Sequence, residues 1–520
     1  MIREYTQDQM YLLPPSLKDF IDEKHSAHLV SELVDKLNLS KLEGRYGRMG
    51  QPAYDPRMML KVILYGYSVG LMSSRKWMQA CEENLAFKFL SGMEQPGYKA
   101  FLGFLERHRE DLPEVFFETV KLAREMGLVK FAHIALDGSK IKANTSKHKA
   151  MSYGRMSEEE KRIKEEIKGL LEKTKQADAE DDRIYGTEND GYHLAEELAH
   201  REDRLKKIEA AKAALEQREN KEHPGKPIDS KKQISFADPE ARCFSKKGNG
   251  TEYVYNGQVA VDMESQIIVE NHIEDSVSDA QAVSPALKNM EEGLGEKPEK
   301  LVMDGGYGNK DTLEVCQEHQ VTPVCATSRE EEKPEGSGGN EVKGMNSFSY
   351  DSGENTFRCP HGAVFVFDHW RSDGTVAVYH CQGNLRCSCG RMSQRKGGST
   401  LWVRKCHLAR RELQRIMGAH RGLYRRRKCT VEPVIGQIKK VMGFRQFLRQ
   451  GLKKVSGEWN LVCAAFNVKK IAALMRMKTF PGPRPAGEIL FPHQLAHCIH
   501  LFESLISLMN LRIVPLVRCA

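Results

Sequence analysis

The sequence predicts an α/β protein built on a mixed sheet with helices on both faces. A β-hairpin is predicted by two strand-like runs joined by a short turn, EYVYNGQVAVDM and QIIVENHIED. Helical and strand-like segments alternate after it, in the order SDAQAVSPALKNMEEGL, KLVMDGG, NKDTLEVCQEHQ and VTPVCATS. An earlier apolar run, FAHIALDGSKIKAN, predicts one more strand, which can lie beside KLVMDGG in such a sheet.

The first part of the chain is predicted to be helical. Apolar residues recur at three-to-four spacing in LVSELVDKLNL, PRMMLKVILYGYSVGL and PEVFFETVKLAREMGLV, which is typical of amphipathic helices. We therefore expect an N-terminal helical domain over residues 1–128. A chain of 520 residues is also too long for a single core, so several domains are expected.

A charged segment at 151–235 interrupts the predicted sheet. Ser157 and Glu160 have the spacing of a capping box, and apolar residues recur along one seam from Leu194 to Leu215. We interpret this segment as an inserted helical hairpin, either a solvated spacer or an arm for a nucleic-acid or protein partner.

The other parts of the chain follow from these assignments. They are the two stretches of the sheet domain (129–150 and 236–330), a linker with a cysteine-rich insertion (331–407), a segment that completes the core (408–478) and a C-terminal tail (479–520).

Positive charge is concentrated near the end of the predicted core. The formal net charge of +8 is modest, but between Arg404 and Lys454 the only acidic residues are Glu412 and Glu432. A continuous basic run, Arg425 to Lys428, lies in the same stretch. Such a run is either a solvated surface or a phosphate-binding surface, and the acidic residue within it favours phosphate binding. No stretch reaches membrane-spanning length without charges, and the start of the chain has no signal-peptide core, so a cytoplasmic protein is expected.

Three acidic residues occur in local contexts that suit one metal site. Asp137 and Asp304 each end an apolar, strand-like run, and Glu432 lies on a predicted helix inside the basic stretch. Carboxylate oxygens are the ligands that Mg²⁺ prefers, and two such ions can activate a nucleophile and stabilise a leaving oxygen in phosphodiester cleavage. We expect Asp137 to bridge the two ions and the others to complete one each. A capping or turn role for each residue is the alternative.

Several motifs together resemble the DDE transposases of bacterial insertion sequences, in the groups numbered four and eleven-eighty-two. The resemblance runs from about residue 10 to 475 and rests on pieces in the expected order: GQPAYDPRMMLKVILYGYSVGLMSSRKW, LDGSKIKAN, YNGQVAVD, LVMDGGYGN, VEPVIGQIKKVMGFRQFLRQG and EWNLVCAAFNVKK. It implies an RNase H-like core, two Mg²⁺ (or Mn²⁺) ions, and the catalytic triad Asp137, Asp304 and Glu432. It also implies a homodimer that bridges two double-stranded DNA ends in a bacterial cytoplasm.

The resemblance extends to candidate DNA contacts. The last family motif is a tyrosine, two residues, an arginine, three residues, the glutamate, six residues and a lysine, and Glu432 and Lys439 fit its final spacing. Tyr424 and Arg427 stand one residue too far upstream, so Lys428 occupies the expected arginine position. We expect Lys439 to lie two helical turns after Glu432 on one face, near a phosphate, and Tyr424 either to stack on a displaced base or to pack in the core.

The N-terminal domain resembles the family's end-binding region. Arg75 and Lys76 could contact backbone phosphates there, and ordinary exposed helix charges are the alternative.

The thirteen cysteines are unevenly distributed, and several fall within the predicted insertion. A small insertion without a large core benefits from a structural metal, so Zn²⁺ is a candidate, with free thiols as the alternative. Its candidate ligands are Cys359, Cys381, Cys387, Cys389 and Cys406. A zinc deaminase is excluded because its His-x-Glu and Pro-Cys-x-x-Cys elements are missing.

These observations predict a DNA transposase that binds the terminal inverted repeats of its insertion sequence. Metal-activated water would cut a phosphodiester, and the freed 3′-hydroxyl would attack another strand. Two alternatives stay open: a catalytically inactive DNA-binding protein derived from a transposase, and a stand-alone metal-dependent nuclease.

Overall fold

The structure is a computed structural model that describes residues 16–47, 52–145, 150–184, 192–246, 250–327, 348–384, 391–392 and 399–479. Most of the predicted linker, the tail from residue 480 onward, and Cys387 and Cys389 lie outside these residues.

The N-terminal part is helical, as the sequence predicts. Its helices are α1 (Ser26–Lys36), α2 (Ser40–Gly44), α3 (Pro56–Ser68), α4 (Ser74–Glu83), α5 (Leu85–Ser91), α6 (Tyr98–Arg107) and α7 (Leu112–Glu125). Helix α3 starts at a proline, and the Asp55 side chain caps it by accepting from the amides of Arg57 and Met58. At Gly66 an added Cβ would lie 2.5 Å from the Trp77 indole nitrogen, so this glycine allows Trp77 of α4 to pack on the backbone of α3.

A mixed sheet forms the centre of the protein and confirms the predicted α/β class. The strands in this part of the chain are β1 (His133–Lys142), β2 (Ala150–Ser152), β3 (Gln233–Ser235), β4 (Arg242–Lys246), β5 (Gly250–Asp262), β6 (Ile268–Glu274), β7 (Lys300–Met303) and β8 (Thr322–Cys325). The order is β6-β5-β1-β7-β8, and β4 also pairs with β5. The strands β6, β5 and β1 are antiparallel neighbours, whereas β1, β7 and β8 are parallel. This is the RNase H-like mixed sheet that the sequence predicts.

A charged helical hairpin is inserted between β2 and β3, which pair at its base. It consists of α8 (Tyr153–Ile184) and α9 (Tyr192–Glu222). Its small core includes Met156 and Ile163 of the first helix and Ile208 and Leu215 of the second. From Tyr153 to Glu222 the sequence holds 20 acidic and 15 basic residues, a net charge of −5. That charge disfavours an arm for backbone phosphates, and a spacer and an arm for a protein partner stay open.

The cysteine-rich insertion folds as an antiparallel sheet, which the sequence patterns did not predict. The described strands β9 (Ser349–Asp351), β10 (Thr356–Arg358), β11 (Val364–Trp370), β12 (Val376–Cys381), β13 (Arg391–Met392) and β14 (Ser399–Arg404) pair in the order β13-β14-β12-β11-β10-β9. A core separate from that of the central sheet supports them, and its aromatic members include Phe357, Phe365 and Tyr379.

The remaining helices are α10 (Val283–Leu294), α11 (Lys310–Glu318), α12 (Lys405–Ala419), α13 (Arg421–Arg426), α14 (Val431–Gly436) and α15 (Leu452–Thr479). Helix α15 is mostly buried and packs against α3 and α7 on one side and β6 on the other. Its buried Asn467 accepts from the amide of Ile268 on β6 and donates to the carbonyl of the same residue and to the Thr119 hydroxyl. The helix thereby joins the N-terminal helices to the sheet. None of the helices within the described ranges is long and apolar enough to cross a bilayer.

One carboxyl group in α15 predicts an unusual pH dependence of stability. Glu458 is 2% exposed and accepts from the amides of Leu448 and Arg449, each at 3.1 Å. Burial away from water raises the pKa of Glu458 from its ordinary value near 4.5 to about 7. The folded state therefore binds this proton more tightly than the unfolded chain. Its contribution to stability falls as pH rises from about 4.5 to about 7, by on the order of 3 kcal/mol.

We expect Glu458→Gln to remove this pH dependence, because the glutamine side chain does not ionise. The difference in the free energy of unfolding between the variant and wild type should therefore shift in favour of the variant as pH rises through that window. Urea denaturation at several pH values measures it, and the other titrating groups cancel because both proteins share them. Parallel pH profiles for the two proteins would contradict the expectation.

Candidate active site

Asp137 lies within β1, and Asp304 directly follows the end of the neighbouring parallel strand β7. The pairing of β1 with β7 runs from His133↔Lys300 to Ala135↔Val302. The same register continued along the chain places Asp137 opposite Asp304. The Asp304 carboxylate also caps the 3₁₀ turn Gly305–Tyr307 by accepting from the amide of Gly306 at 2.7 Å. The two aspartates thus lie side by side at the point where β7 ends, while β1 continues to Lys142.

The environment of Asp137 disfavours its charged form. Its pKa is raised to about 6, mainly by burial away from water; the positive charge of Arg427 lowers this pKa, and the negative charge of Asp304 raises it. Nη1 of Arg427 lies 3.3 Å from Oδ2 of Asp137. A carboxylate with a raised pKa beside a second carboxylate is a common feature of functional sites.

Arg427 also connects Asp137 to Glu432. Nη2 of this arginine lies 3.8 Å from Oε1 of Glu432, which is in the first turn of α14. The Arg427 side chain is only 8% exposed, whereas that of Glu432 is 52% exposed. One buried guanidinium therefore lies between two of the predicted catalytic carboxylates, and the third carboxylate is the neighbour of Asp137 across the strand pair.

The local backbone explains how Arg427 reaches this position. A 3₁₀ turn, Arg427–Cys429, separates α13 from α14, and this tighter helix places the residues at different angles from a continuous α-helix. Compared with the family motif, this chain has one extra residue between Arg427 and Glu432, and that residue falls in the 3₁₀ turn. Arg427 is the buried residue that contacts the carboxylates, while Lys428 is exposed, as are Arg425 and Arg426.

The helix after Glu432 departs from the regular α-helix that the sequence predicts. Gln437–Val441 forms a π turn directly after α14, so Lys439 does not continue a regular α-helical face from Glu432. Nζ of Lys439 donates to the carbonyl of Lys140 on β1 at 3.1 Å, which places the ammonium three residues beyond Asp137. Tyr424 on α13 is half-buried against the core. Burial raises the pKa of its hydroxyl, the positive charge of Arg427 lowers it, and the negative charge of Asp304 raises it.

Arg75 and Lys76 lie in the first turn of α4, and both are exposed. The guanidinium of Arg75 lies over the Tyr98 ring, 5.3 Å from its centroid. These two residues therefore belong to the surface of the N-terminal helices.

Family models match three segments of the chain. Two models described as "Transposase DDE domain" match residues 222–382 and 359–472, and one described as "Transposase domain (DUF772)" matches residues 15–107. The matched segments include Asp304 and Glu432. The chain contains a transposase DDE domain. No curated protein matches its sequence.

Among solved structures, one titled "Cryo-EM structure of piggyBac transposase synaptic complex with hairpin DNA" is similar over 94% of this chain and 82% of its own. The sequence identity is 9% and the TM-score is 0.28, so the assignment to the DDE transposases rests on the family models and not on this likeness.

Asp137 lies between the matched segments, and the strand pairing is what places it beside Asp304. The carboxylates of Asp137, Asp304 and Glu432 are the kind of ligand that a hard divalent cation prefers, and a cation would offset the negative charges of the neighbouring Asp137 and Asp304. Among the described residues, no three His, Cys, Asp or Glu side chains already converge as a ligand set. The guanidinium of Arg427 supplies the positive charge between Asp137 and Glu432.

The candidate zinc ligands are only partly within the described ranges. Cys359 and Cys381 are buried in the core of the insertion sheet, and Cys406 is exposed at the start of α12. The buried pair belongs to one apolar cluster, which supports the sheet by packing. Zinc in the insertion stays a prediction.

A polar network beside the two aspartates is not predicted by the sequence patterns. Asn256 and Gln258 are almost fully buried in β5, and they contact Lys140, Asp279 and Tyr307. The sequence does contain one indication of this network, which is the presence of two amide side chains in an otherwise apolar strand. Buried polar groups require hydrogen-bond partners, so such amides predict a polar network around them.

Proposed function

We propose that the protein is a DNA transposase that binds the terminal inverted repeats of its insertion sequence and catalyses metal-dependent strand cleavage and strand transfer. Two observations support this proposal: Asp137 lies opposite Asp304 across the β1–β7 pair, and the buried Arg427 contacts both Asp137 and Glu432. Exposed basic side chains on the same segment, including Arg425, Arg426 and Lys428, suit a phosphate backbone next to these carboxylates.

In this proposal, Asp137, Asp304 and Glu432 hold Mg²⁺ or Mn²⁺. Such ions, when bound, make water or a 3′-hydroxyl more nucleophilic and stabilise the departing oxygen. Arg427 holds Asp137 in place and offsets negative charge when phosphate enters. The first step is hydrolysis of a phosphodiester, in which a P–O bond to water forms and the P–O3′ bond breaks. In the second step the freed 3′-hydroxyl attacks a phosphodiester of another strand, so that a new P–O3′ bond forms, the target's own P–O3′ bond breaks and the target's 3′-hydroxyl leaves.

The DNA contacts are proposed from exposure and position. Lys428 is exposed beside the site, and Lys439 is anchored on β1 close to Asp137, so both are placed to contact phosphates near the scissile bond. Tyr424 presents a half-buried ring close to Asp304, where it could stack on a base removed from the duplex. Arg75 and Lys76 would contact the backbone further from the site. A homodimer bridging two DNA ends is part of the same proposal.

The decisive experiment uses the inverted repeats that flank the coding gene. Purified protein is incubated with labelled DNA carrying these repeats, with Mg²⁺ or with EDTA, and cut and joined products are resolved on denaturing gels. We expect cleavage at the repeats and joining to a second duplex with Mg²⁺, and no products with EDTA, because the carboxylates act only through a bound cation.

DNA with scrambled repeats is the control. Binding without cleavage would identify a catalytically inactive DNA-binding protein. Equal cleavage of scrambled DNA without joining would identify a metal-dependent nuclease. Cleavage that persists unchanged in EDTA would contradict the proposed chemistry itself.

A further inference from the structure

Gln258 on β5 connects the chain segments that carry the two aspartates. Its side-chain Nε2 donates to Oδ1 of Asp279 at 2.7 Å, and its Oε1 accepts from the Tyr307 hydroxyl at 2.5 Å. Gln258 and Tyr307 are both 0% exposed. These hydrogen bonds are therefore shielded from water and fix the orientation of the amide group.

Asp279 is the centre of this network. Its Oδ1 accepts from Gln258, from Nζ of Lys140 at 2.9 Å and from Nδ2 of Asn256 at 2.9 Å. The ammonium of Lys140 offsets the carboxylate charge. Three donors on one oxygen hold the loop before α10 against β1 and β5.

The network touches the backbone directly after Asp137. A Cβ added at Gly138 would lie 2.3 Å from Nε2 of Gln258 and 2.5 Å from Oδ1 of Asp279. Only a residue without a side chain leaves room for these two polar groups at this point. The position of the Gly138 backbone, and with it that of Asp137, therefore depends on where Gln258 and Asp279 lie.

The same network reaches the turn that begins at Asp304. Tyr307 is the last residue of that 3₁₀ turn, and its hydroxyl is bonded to Gln258. Asn309 adds a second connection, because its Nδ2 donates to the carbonyl of Ala280, next to Asp279. One amide side chain is thus bonded to the Asp304 turn and in contact with the residue after Asp137.

We propose that Gln258, held by Asp279 and Tyr307, is a positioning residue that fixes the distance between Asp137 and Asp304. The proposal rests on the proposed function, in which this carboxylate pair holds divalent ions. Burying an amide costs free energy unless all its polar groups are hydrogen-bonded, and apolar side chains of similar size would fill the same space. The stability of the sheet alone therefore does not explain why amides occupy these positions. Groups that orient metal ligands typically change metal affinity by about 10–100-fold when they are removed.

The test uses Tyr307→Phe, which removes one hydroxyl and keeps the buried ring. Titration calorimetry with Mn²⁺ alone, on the full chain, measures the dissociation constant independently of catalysis. We expect Mn²⁺ to bind the variant about tenfold more weakly than wild type. The cleavage rate at limiting Mn²⁺ should fall in parallel, with partial recovery at high Mn²⁺.

Tyr255→Phe is the matched control. Tyr255 is also a buried tyrosine, on the same strand as Gln258, and its hydroxyl donates to Oδ1 of Asp238 at 2.7 Å, in a different part of the core. A purely structural role for buried tyrosine hydroxyls predicts similar losses of metal-free melting temperature and unchanged Mn²⁺ binding in both variants. Weaker Mn²⁺ binding in Tyr307→Phe alone supports positioning.

A second variant, Gln258→Met, keeps the proposal testable if Tyr307→Phe is not folded. It removes the hydrogen bonds to Asn256, Asp279 and Tyr307 and keeps the side-chain length, so we expect a loss of Mn²⁺ affinity at least as large. Mn²⁺ binding within twofold of wild type in the folded variant overturns the positioning role alone. If wild type binds no Mn²⁺, or if Asp137→Asn binds it equally well, the proposed function fails and this inference fails with it.

Discussion

Asp137→Asn is expected to lower the rate of DNA cleavage about 10³-fold or more while leaving the affinity for inverted-repeat DNA within about twofold. A carboxylate that holds a catalytic cation contributes several kcal/mol of transition-state stabilisation, and each 1.36 kcal/mol corresponds to a factor of ten in rate. DNA affinity comes mainly from contacts between basic side chains and phosphates, which the substitution leaves in place. Denaturing gels measure the cleavage rate, and fluorescence anisotropy measures binding.

The variant should also be at least as stable as wild type. Burial raises the pKa of Asp137 to about 6, so at neutral pH the folded protein holds this carboxylate charged at a cost that asparagine avoids. Arg427 loses one partner and keeps Glu432. A loss of cleavage with an equal or higher melting temperature would therefore report chemistry and not unfolding.

Glu264→Gln is the control for removing a carboxylate elsewhere. Glu264 is half-exposed and pairs with Lys130 at the hairpin between β5 and β6. We expect its cleavage rate to match that of wild type. If Asp137→Asn cut DNA as fast as this control, Asp137 would have no catalytic role.

The neighbouring positions of Asp137 and Asp304 were predictable because both follow the same local pattern. Each ends an apolar run and precedes glycine, which predicts two strand ends at one edge of a mixed sheet. Asp304 does follow the end of β7, but β1 continues past Asp137 to Lys142. The pairing of β1 with β7 has the parallel register that this reasoning needs. The basic context of Glu432 was equally visible in the sequence, because almost no acidic residues surround it.

The role of Arg427 could not be predicted from spacing. Counting residues back from Glu432 on a regular helix favours Lys428, but the 3₁₀ turn at Arg427–Cys429 changes which side chain points inward. A similar limit applies to Lys439, where a π turn replaces the expected α-helix. Local departures of this kind depend on the packing of distant segments, which a periodic pattern does not contain.

Long-range side-chain contacts were also beyond the sequence. Gln258 and Tyr307 belong to motifs that the resemblance rests on, but nothing local indicates that they are bonded to each other. The β-sheet of the insertion was missed for another reason. Its strands are short, so their alternating pattern is weak, and its core combines aromatic residues such as Phe357 and Tyr379 with buried cysteines.

Trp459→Ala is expected to destabilise the central fold by roughly 3–5 kcal/mol, as is typical of large aromatic side chains removed from a core. Trp459 of α15 is 1% exposed, and its ring lies against β5 at Gly257, 3.2 Å from where a Cβ would be. It also packs near Phe444 and Phe447, with ring centroids 6.0 and 6.3 Å away. Its removal would leave a cavity between the sheet and the helix that joins it to the N-terminal domain.

The indole N–H of Trp459 adds a hydrogen bond to this packing. It donates to the carbonyl of Gln258 at 3.1 Å, so alanine would also leave a buried carbonyl without this donor. Trp459→Phe separates the two effects, because it keeps most of the ring volume and loses the donor, and a smaller loss of about 1–3 kcal/mol is expected. Scanning calorimetry measures both, with the half-exposed Trp370→Ala as the control expected to change stability by less than about 0.5 kcal/mol. If Trp459→Ala were as mild as that control, α15 would not be the element that holds β5, and with it Gln258, in place.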